Sequence, residues 1–298
     1  RAYLGNKSLP IFDFSDIRRK GATLVTAGGK APGPDPLKEC LFQIQKILDN
    51  KSNGEKLRSI EIYSIMCHIA DAVLAGGIRR SSEICFFSFD DVDMLTAKVG
   101  NWFEANPHYG RCNNSAVALR QRITKEDFDK FWTYVSNNRT GEPAIYFTND
   151  IDVLSNPCGE ISLRNAGFCN LCEINATLIH TQTEFEEVCR ASSIIGTLQA
   201  SYTDFHYLRD IWKITAEKEA LLGIGITGLA TEEFMNLNHS SGAHQILETN
   251  ELIAKKIGIK KSARTTCIKP SGTTSSLIGT SSGVHAWHAS FYLRRIRL

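Results

Sequence analysis

At 298 residues, with 42% hydrophobic and 22% charged side chains, the chain has the composition of a folded globular protein long enough for one large core or two smaller ones, which excludes disorder as its default state. Its 34 basic and 32 acidic residues leave a formal charge of +2, so no global field singles out nucleic acid or a membrane surface as a direct partner. No run of about 18 apolar residues occurs, and the polar start Arg1-Ala2-Tyr3-Leu4-Gly5-Asn6-Lys7 lacks the apolar core of a secretory signal, which predicts a soluble, cytoplasmic protein.

In chain order, apolar residues recur at helical spacing over Leu37 to Leu48 and over Ile60 to Leu74, where Gly76-Gly77 supplies a stop. Ile84 to Phe89 is short and apolar and predicts a strand; Asp91 to Val99 reads as helix, Ser115 to Leu119 as strand, Lys125 to Val135 as helix and Ala144 to Phe147 as strand. Further on, Leu171 to Ile174 reads as a strand. Thr183 to Leu198 reads as a helix capped by Thr181 or Thr183, with Glu186 completing a capping box from Thr183. Leu221 to Leu229 is ambiguous, Gln245 to Ile257 helical, and Thr265 to Ile268 a strand. Helices and strands alternate, which predicts an α/β fold, and the lack of a repeat or linker makes one compact domain the simplest division. Nine cysteines, at 40, 67, 85, 112, 158, 169, 172, 189 and 267, are an odd number in a chain too large to need staples, which predicts reduced thiols. The missing initiator Met and the basic ending Arg294-Arg295-Ile296-Arg297-Leu298 predict that both ends were cut from something longer.

The densest chemistry lies in Asn156-Pro157-Cys158-Gly159-Glu160, with Cys169 eleven positions after Cys158. Pro157 fixes its own φ and biases Asn156 toward extended backbone, while Gly159 tolerates angles closed to other residues. The segment can therefore aim an amide, a thiol and a carboxylate at one small substrate, with a second thiol within reach, which is a set suited to radical thiol chemistry. A second candidate is Lys269-Pro270-Ser271-Gly272-Thr273-Thr274-Ser275, whose hydroxyls and backbone N–H groups precede an apolar run. It reads either as a phosphate cradle opening a helix or as a serine/threonine turn with an N-cap.

Gly223-Ile224-Gly225-Ile226-Thr227-Gly228 matches the spacing of a dinucleotide-binding fingerprint, but Ala216 to Leu222 before it is rich in helix formers where the fingerprint needs a strand. It reads as a glycine-bearing strand in a crowded interior. Cys169-Asn170-Leu171-Cys172 would be half a zinc site, with His285-Ala286-Trp287-His288 as the other half, or a thioredoxin-like pair. Residues three apart in a strand point to opposite faces, which assigns Cys172 to the core and Cys169 to Cys158. Two basic, glycine-rich stretches complete the set: Ile17-Arg18-Arg19-Lys20-Gly21-Ala22 through Gly28-Gly29-Lys30-Ala31-Pro32-Gly33-Pro34, and Gly76-Gly77-Ile78-Arg79-Arg80-Ser81-Ser82. Each alone reads as a solvated loop; two of them beside a hydroxyl cradle point to a nucleotide.

Taken together, the Asn156 to Glu160 motif with Cys169, Gly76 to Ser81, Arg111 with Asn113-Asn114-Ser115, Lys269 to Ser275, and Ser282-Gly283-Val284-His285 with Tyr292-Leu293-Arg294-Arg295 resemble, in order and over nearly the whole chain, the catalytic subunit of ribonucleotide reductases. The resemblance is strongest to the adenosylcobalamin-dependent class II branch and its phage relatives. It implies a ten-stranded α/β barrel of two half-barrels, with Cys158 at the tip of a central finger loop. It further implies that Cys158 becomes a thiyl radical that removes the ribose 3′ hydrogen, that Glu160 takes the 3′-hydroxyl proton, and that Asn156 hydrogen-bonds the ribose. Cys169 would be one member of the reducing pair, its partner lying on a strand before Arg1. Ser271, Gly272, Thr273, Thr274 and Ser275 would hold the substrate's phosphates. Arg18, Arg19, Lys20, Gly28 and Gly29, with Gly76, Gly77, Arg79, Arg80 and Ser81, would form two loops relaying which deoxynucleotide or ATP effector is bound. Implied partners are a ribonucleotide di- or triphosphate, a thioredoxin- or glutaredoxin-like reductant and a second copy in a homodimer. Two other readings stand beside this one: a class I-like subunit that binds no cobalamin and takes its radical from a metal-bearing, ferritin-like small subunit, and a non-catalytic nucleotide-binding barrel fragment. A glycyl-radical enzyme of similar barrel would require a C-terminal glycine loop.

Overall fold

The computed structural model of the chain describes Tyr3 and residues 7–25, 28–73 and 81–293. Contacts between Cα atoms divide it into two compact units that meet in sequence at Asp150 and Ile151. No shift of composition marks this boundary, which falls in the short polar run Asn149-Asp150-Ile151-Asp152.

The first unit opens with helices α1 (Asp35–Asp49) and α2 (Ser59–Ala72). Pro34 stands at the N-cap of α1 with Asp35 in its first turn and Lys46 in its last, charges that complement the helix dipole. At the start of α2, the Glu61 carboxylate accepts the Arg58 backbone N–H at 2.7 Å. Strands β1 (Glu83–Phe87), β2 (Cys112–Leu119) and β3 (Ala144–Thr148) form a parallel sheet in chain order. Parallel neighbours require crossovers. Short helices α3 (Val92–Thr96) and α4 (Trp102–Ala105) lie on the first, and α5 (Lys125–Asn138), with a Thr124–Asp127 capping box, forms the second. Tyr63, Cys67, Phe87, Met94, Tyr109, Cys112, Ala116 and Phe131 make the core of this unit.

The second unit begins with an antiparallel hairpin, β4 (Val153–Ser155) and β5 (Ser162–Arg164). Strands β6 (Asn170–Asn175) and β7 (Leu222–Thr227) pair in parallel, joined through helices α6 (Gln182–Ala200) and α7 (Asp210–Glu219). After β7 come α8 (Glu232–Met235), α9 (His239–Ile257) and α10 (Thr274–Ile278). The core joins Ile174, Leu222 and Ile224 of the strands to Phe185, Cys189, Phe234 and Ile246 of the helices.

Three local expectations change. The capping box of α6 is Thr181 with Glu184, whose carboxylate accepts the Thr181 N–H at 3.0 Å; Glu186 instead binds Gln182 and Ser241. Helix α9 starts at His239 rather than Gln245, because Asn238 caps it and Gly242 lets it approach α6: a Cβ at Gly242 would lie 2.3 Å from the Phe185 ring. Thr265 to Ile268 is not a full strand; it joins β7 through one parallel bridge, Thr266 to Ile224, before Pro270 ends the extended run. The α/β class holds. Among the described residues there are seven strands in three separate sheets.

Candidate active site

The hairpin β4–β5 is closed by the segment predicted from sequence to carry the chemistry. The Gly159 N–H donates to the Asn156 carbonyl at 2.9 Å, closing a four-residue turn with Pro157 second and Cys158 third. Gly159 has φ +81°, in the left-handed region where glycine is at no disadvantage. The Asn156 Oδ1 accepts the Ile161 N–H at 3.0 Å and its N–H donates to the Ile161 carbonyl at 3.3 Å, so this side chain staples the base of the loop. Its amide NH2 is the half that can donate to a substrate hydroxyl. Cys158 is thereby held exposed at the tip of a short, braced hairpin.

Glu160 lies close enough to three thiols for its charge to act on each. Burial pushes the Cys158 thiol up, the Glu160 carboxylate adds to this, and the Lys269 ammonium opposes it. Cys169 is pushed up to about 12 by burial, then by nearby Cys267 and Glu160; Cys267 is pushed up to about 11 by burial and then by Glu160, against the pull of Lys269. All three sulfurs are therefore held as neutral S–H groups at neutral pH, the form that can give up a hydrogen atom or two electrons with its proton. The outer carboxylate oxygen of Glu160, Oε2, is buried without a hydrogen-bond partner. An unsatisfied buried carboxylate oxygen is costly and suits a group waiting for a substrate hydroxyl.

Strand β7 explains how these groups come together. Leu222 and Cys172 pack on α6, where a Cβ at Gly196 would lie 3.2 Å from Leu222 and 3.5 Å from the Cys172 sulfur. Gly223 and Gly225 face the other way. A Cβ at Gly223 would meet Leu171 at 2.6 Å, the Cys169 sulfur at 3.0 Å and Ile161 at 3.0 Å, while one at Gly225 would meet the Lys269 side chain at 3.2 Å. The glycines thus clear the site face of the sheet, and Cys169 and Cys172 do lie on opposite faces. Lys269 donates to the Glu173 carboxylate at 3.1 Å, with both side chains largely buried. Cys267 was not singled out from sequence, yet alternation through Thr265, Cys267 and Lys269 on an extended segment is the signal that would have found it.

The serine- and threonine-rich segment opens α10 as predicted. Ser271 adopts φ +52° and is buried, its hydroxyl without a partner. Ser275 is fully buried; its hydroxyl donates to the Gly272 carbonyl at 3.3 Å and lies 3.2 Å from that of Ser282. Ser276 also folds back on Gly272 at 3.2 Å. The turn therefore consumes the Ser275 hydroxyl, leaving Ser271, Gly272, Thr273 and Thr274 as the part of the segment that can meet an anion.

The remaining candidates separate. Arg18, Arg19 and Lys20 are exposed beside Gly21, and the segment folds back through the Thr23–Lys30 bridge, with Gly28 and Gly29 both at positive φ. Gly76, Gly77, Arg79 and Arg80 lie outside the described residues, as do Arg294 and Arg295; Ser81 is half-buried. The first two glycines of Gly223 to Gly228 sit inside a strand and not at a helix start, so no dinucleotide fingerprint forms. His285 and His288 are exposed, and among the described residues they form no metal-ligating cluster with Cys169 and Cys172.

No family model matches the chain. It is 27% identical to the adenosylcobalamin-dependent ribonucleoside-triphosphate reductase of Lactobacillus helveticus over 98% of its own length and 44% of that protein's. The enzyme of the same name from Lactobacillus leichmannii is 28% identical over 96% of this chain and 44% of its own. The chain thus spans less than half the length of the curated relatives it matches. Among solved structures, a B12-dependent class II ribonucleotide reductase superimposes with a TM-score of 0.73 at 24% identity, over 91% of this chain and 43% of that one. The class Id ribonucleotide reductase α subunit of Actinobacillus ureae gives 0.55 at 15%, over 86% and 61%. In sequence and in fold, over nearly all its length, the chain is a relative of ribonucleotide reductase catalytic subunits, on the class II side.

Proposed function

We propose that the chain carries the catalytic core of a ribonucleotide reductase, which converts ribonucleotides to 2′-deoxyribonucleotides by thiyl-radical chemistry. The observation that carries this reading is the braced hairpin tip that presents Cys158 next to a carboxylate, Glu160, with an unsatisfied buried oxygen and a second thiol, Cys169, on the wall behind it. The Cys158 sulfur, once it has lost its hydrogen atom, takes the ribose 3′ hydrogen. Glu160 accepts the 3′-hydroxyl proton as general base, and the 2′-hydroxyl leaves as water. The Asn156 amide orients the sugar. Cys169 and a partner thiol give two electrons and two protons and close a disulfide; the 3′ hydrogen returns from Cys158, which is left as it began. A dithiol protein of the thioredoxin or glutaredoxin type then reopens the disulfide.

The relatives are named for adenosylcobalamin and for triphosphate substrates, and both are proposed here. Adenosylcobalamin, when bound, would supply one-electron radical chemistry, and Cys158 would be the residue that gives up its hydrogen atom. The chain's residues fit that demand, since the thiol is exposed at a hairpin tip and kept as S–H. Ser271, Gly272, Thr273 and Thr274 are proposed to receive the phosphates through backbone N–H groups and hydroxyls, with Ser275 bracing the turn beneath them. Arg18, Arg19, Lys20, Gly28, Gly29 and the segment from Gly76 to Ser81 are proposed as effector loops, in a homodimer. For the architecture we propose that the parallel strands belong to a ten-stranded barrel of two half-barrels, supported by the class II superposition.

The test uses the full-length protein with ribonucleoside triphosphate, dithiothreitol and adenosylcobalamin, and measures deoxynucleotide. Turnover is expected with cobalamin and no second subunit, and Cys158→Ala is expected to abolish it while nucleotide binding persists. Undiminished turnover in Cys158→Ala overturns the proposal.

A further inference from the structure

The first unit contains a second cluster of thiols that the reductase reading does not use. Glu83 and Cys112 are direct partners in the parallel register of β1 and β2, so they stand side by side on one face of the sheet. Helix α2 packs over that face and contributes Cys67, one turn beyond Tyr63. The Cys67 sulfur, the Cys112 sulfur and a Glu83 carboxylate oxygen all lie within 4.8 Å of one another. Cys67 is fully buried and Cys112 nearly so.

From this geometry we infer that Cys67, Cys112 and Glu83 form a binding site for one thiophilic divalent cation of the Zn2+ class. Bond lengths of about 2.3 Å to sulfur and about 2.0–2.2 Å to a carboxylate oxygen place the ligand atoms of a tetrahedral zinc site within 4 Å of each other, so small side-chain rotations close this set on an ion. The surroundings point the same way. Asn114, two residues past Cys112 on the same strand face, is 2% exposed and its Oδ1 has no partner, while its side chain meets the Tyr63 phenol, which also bonds to Cys67. Cys85 lies two residues past Glu83 on that face and is close enough to Cys112 and Glu83 for their charges to act on it. The Lys98 ammonium sits on the Cys112 carbonyl and pairs with Glu142 at 2.6 Å, which fixes the Cys112 backbone beside the cluster.

Binding is an acid-releasing exchange. The ion sheds waters, the S–H bonds of Cys67 and Cys112 break, two metal–sulfur bonds form, and two protons go to solvent with no change of oxidation state. Two protons leave for each ion bound, so protons compete with the metal and affinity rises with pH by up to about a hundredfold per unit. The ion would tie helix α2 to strand β1, which flank Gly76 to Ser81 in sequence.

The experiment titrates the reduced, chelator-treated full-length protein with Cd2+, reading the thiolate-to-cadmium band in the ultraviolet and the protons released, and with Zn2+, reading metal content. One ion per chain, two protons per ion and a band of two thiolates are expected. Cys67→Ser and Cys112→Ser should each halve the band and weaken binding by about tenfold or more. Glu83 is half-buried and its substitution spares the core, so Glu83→Gln should weaken binding by a similar factor and Glu83→Cys should deepen the band by one thiolate. Absence of binding, a band that persists in the Cys67→Ser/Cys112→Ser protein, indifference to both Glu83 substitutions, or a Cys67–Cys112 disulfide in the metal-free protein would each overturn the site.

Discussion

Glu160 bears on Cys158, Cys169 and Cys267 at once, adding a single charge to the burial that raises all three thiols. Its carboxylate raises all three thiols; Glu160→Gln removes that contribution and should move the onset of alkylation at Cys158, Cys169 and Cys267 to lower pH, read by mass spectrometry after iodoacetamide pulses. The same substitution removes the proposed general base, and kcat should fall by about 10²–10⁴ with KM little changed. Lys269 acts with the opposite sign on Cys158 and Cys267. Lys269→Met should delay their alkylation to higher pH and leave the buried Glu173 carboxylate unpaired, lowering stability by about 3–5 kcal/mol in chemical denaturation.

At the scale of elements, local chemistry explains the parts read correctly from sequence. Pro157 and Gly159 write the turn that lifts Cys158, Thr124 and Asp127 write the start of α5, and the short apolar and aromatic run over Ala144 to Phe147 writes β3. Where the reading slipped, packing overruled propensity. The Phe185 ring beneath Gly242 requires the missing Cβ, so the helix read from Gln245 begins six residues earlier, at His239. Gly223 is the sharper case, because its hydrogen faces the Cys169 sulfur and Leu171. Gly223→Ala should cost about 1–3 kcal/mol through overpacking and displace Cys169, so loss of turnover should exceed loss of folded protein at a temperature where the variant remains native. Thr181→Ala should cost about 1 kcal/mol in the same denaturation assay with turnover unchanged, since it removes only the α6 cap.

The molecule as a whole has two compact units, each with its own buried core. Thiols buried in both titrate late: Cys85 at about 12 in the first, Cys189 and Cys169 at about 12 in the second. The sign follows from linkage. A thiol whose folded value exceeds its unfolded value of about 8.5 contributes full stability below that pH and loses it as pH rises toward 12, because the unfolded chain ionises first. The melting temperature should therefore hold level with respect to these groups up to about pH 8.5 and decline above it. Replacing Cys189 by Ala should flatten the decline. An unaltered slope in that variant would contradict the assignment.

Legible in the residues alone were the α/β class, most helices and strands to within a few residues, the turn that carries Cys158, and the opposite facing of Cys169 and Cys172. These are properties of neighbours in the chain, set by φ preferences, capping and the two hydrophobic periods. Only the tertiary structure decided that Cys267 and Lys269 stand with Glu160, that Gly223 and Gly225 clear the sheet face for them, that Ser275 is spent on its own turn, and that Cys67, Glu83 and Cys112 converge. Each of those depends on which strand lies beside which and on which residues the register sets abreast, and pairing of distant segments is fixed by packing the whole core rather than by any one segment's composition.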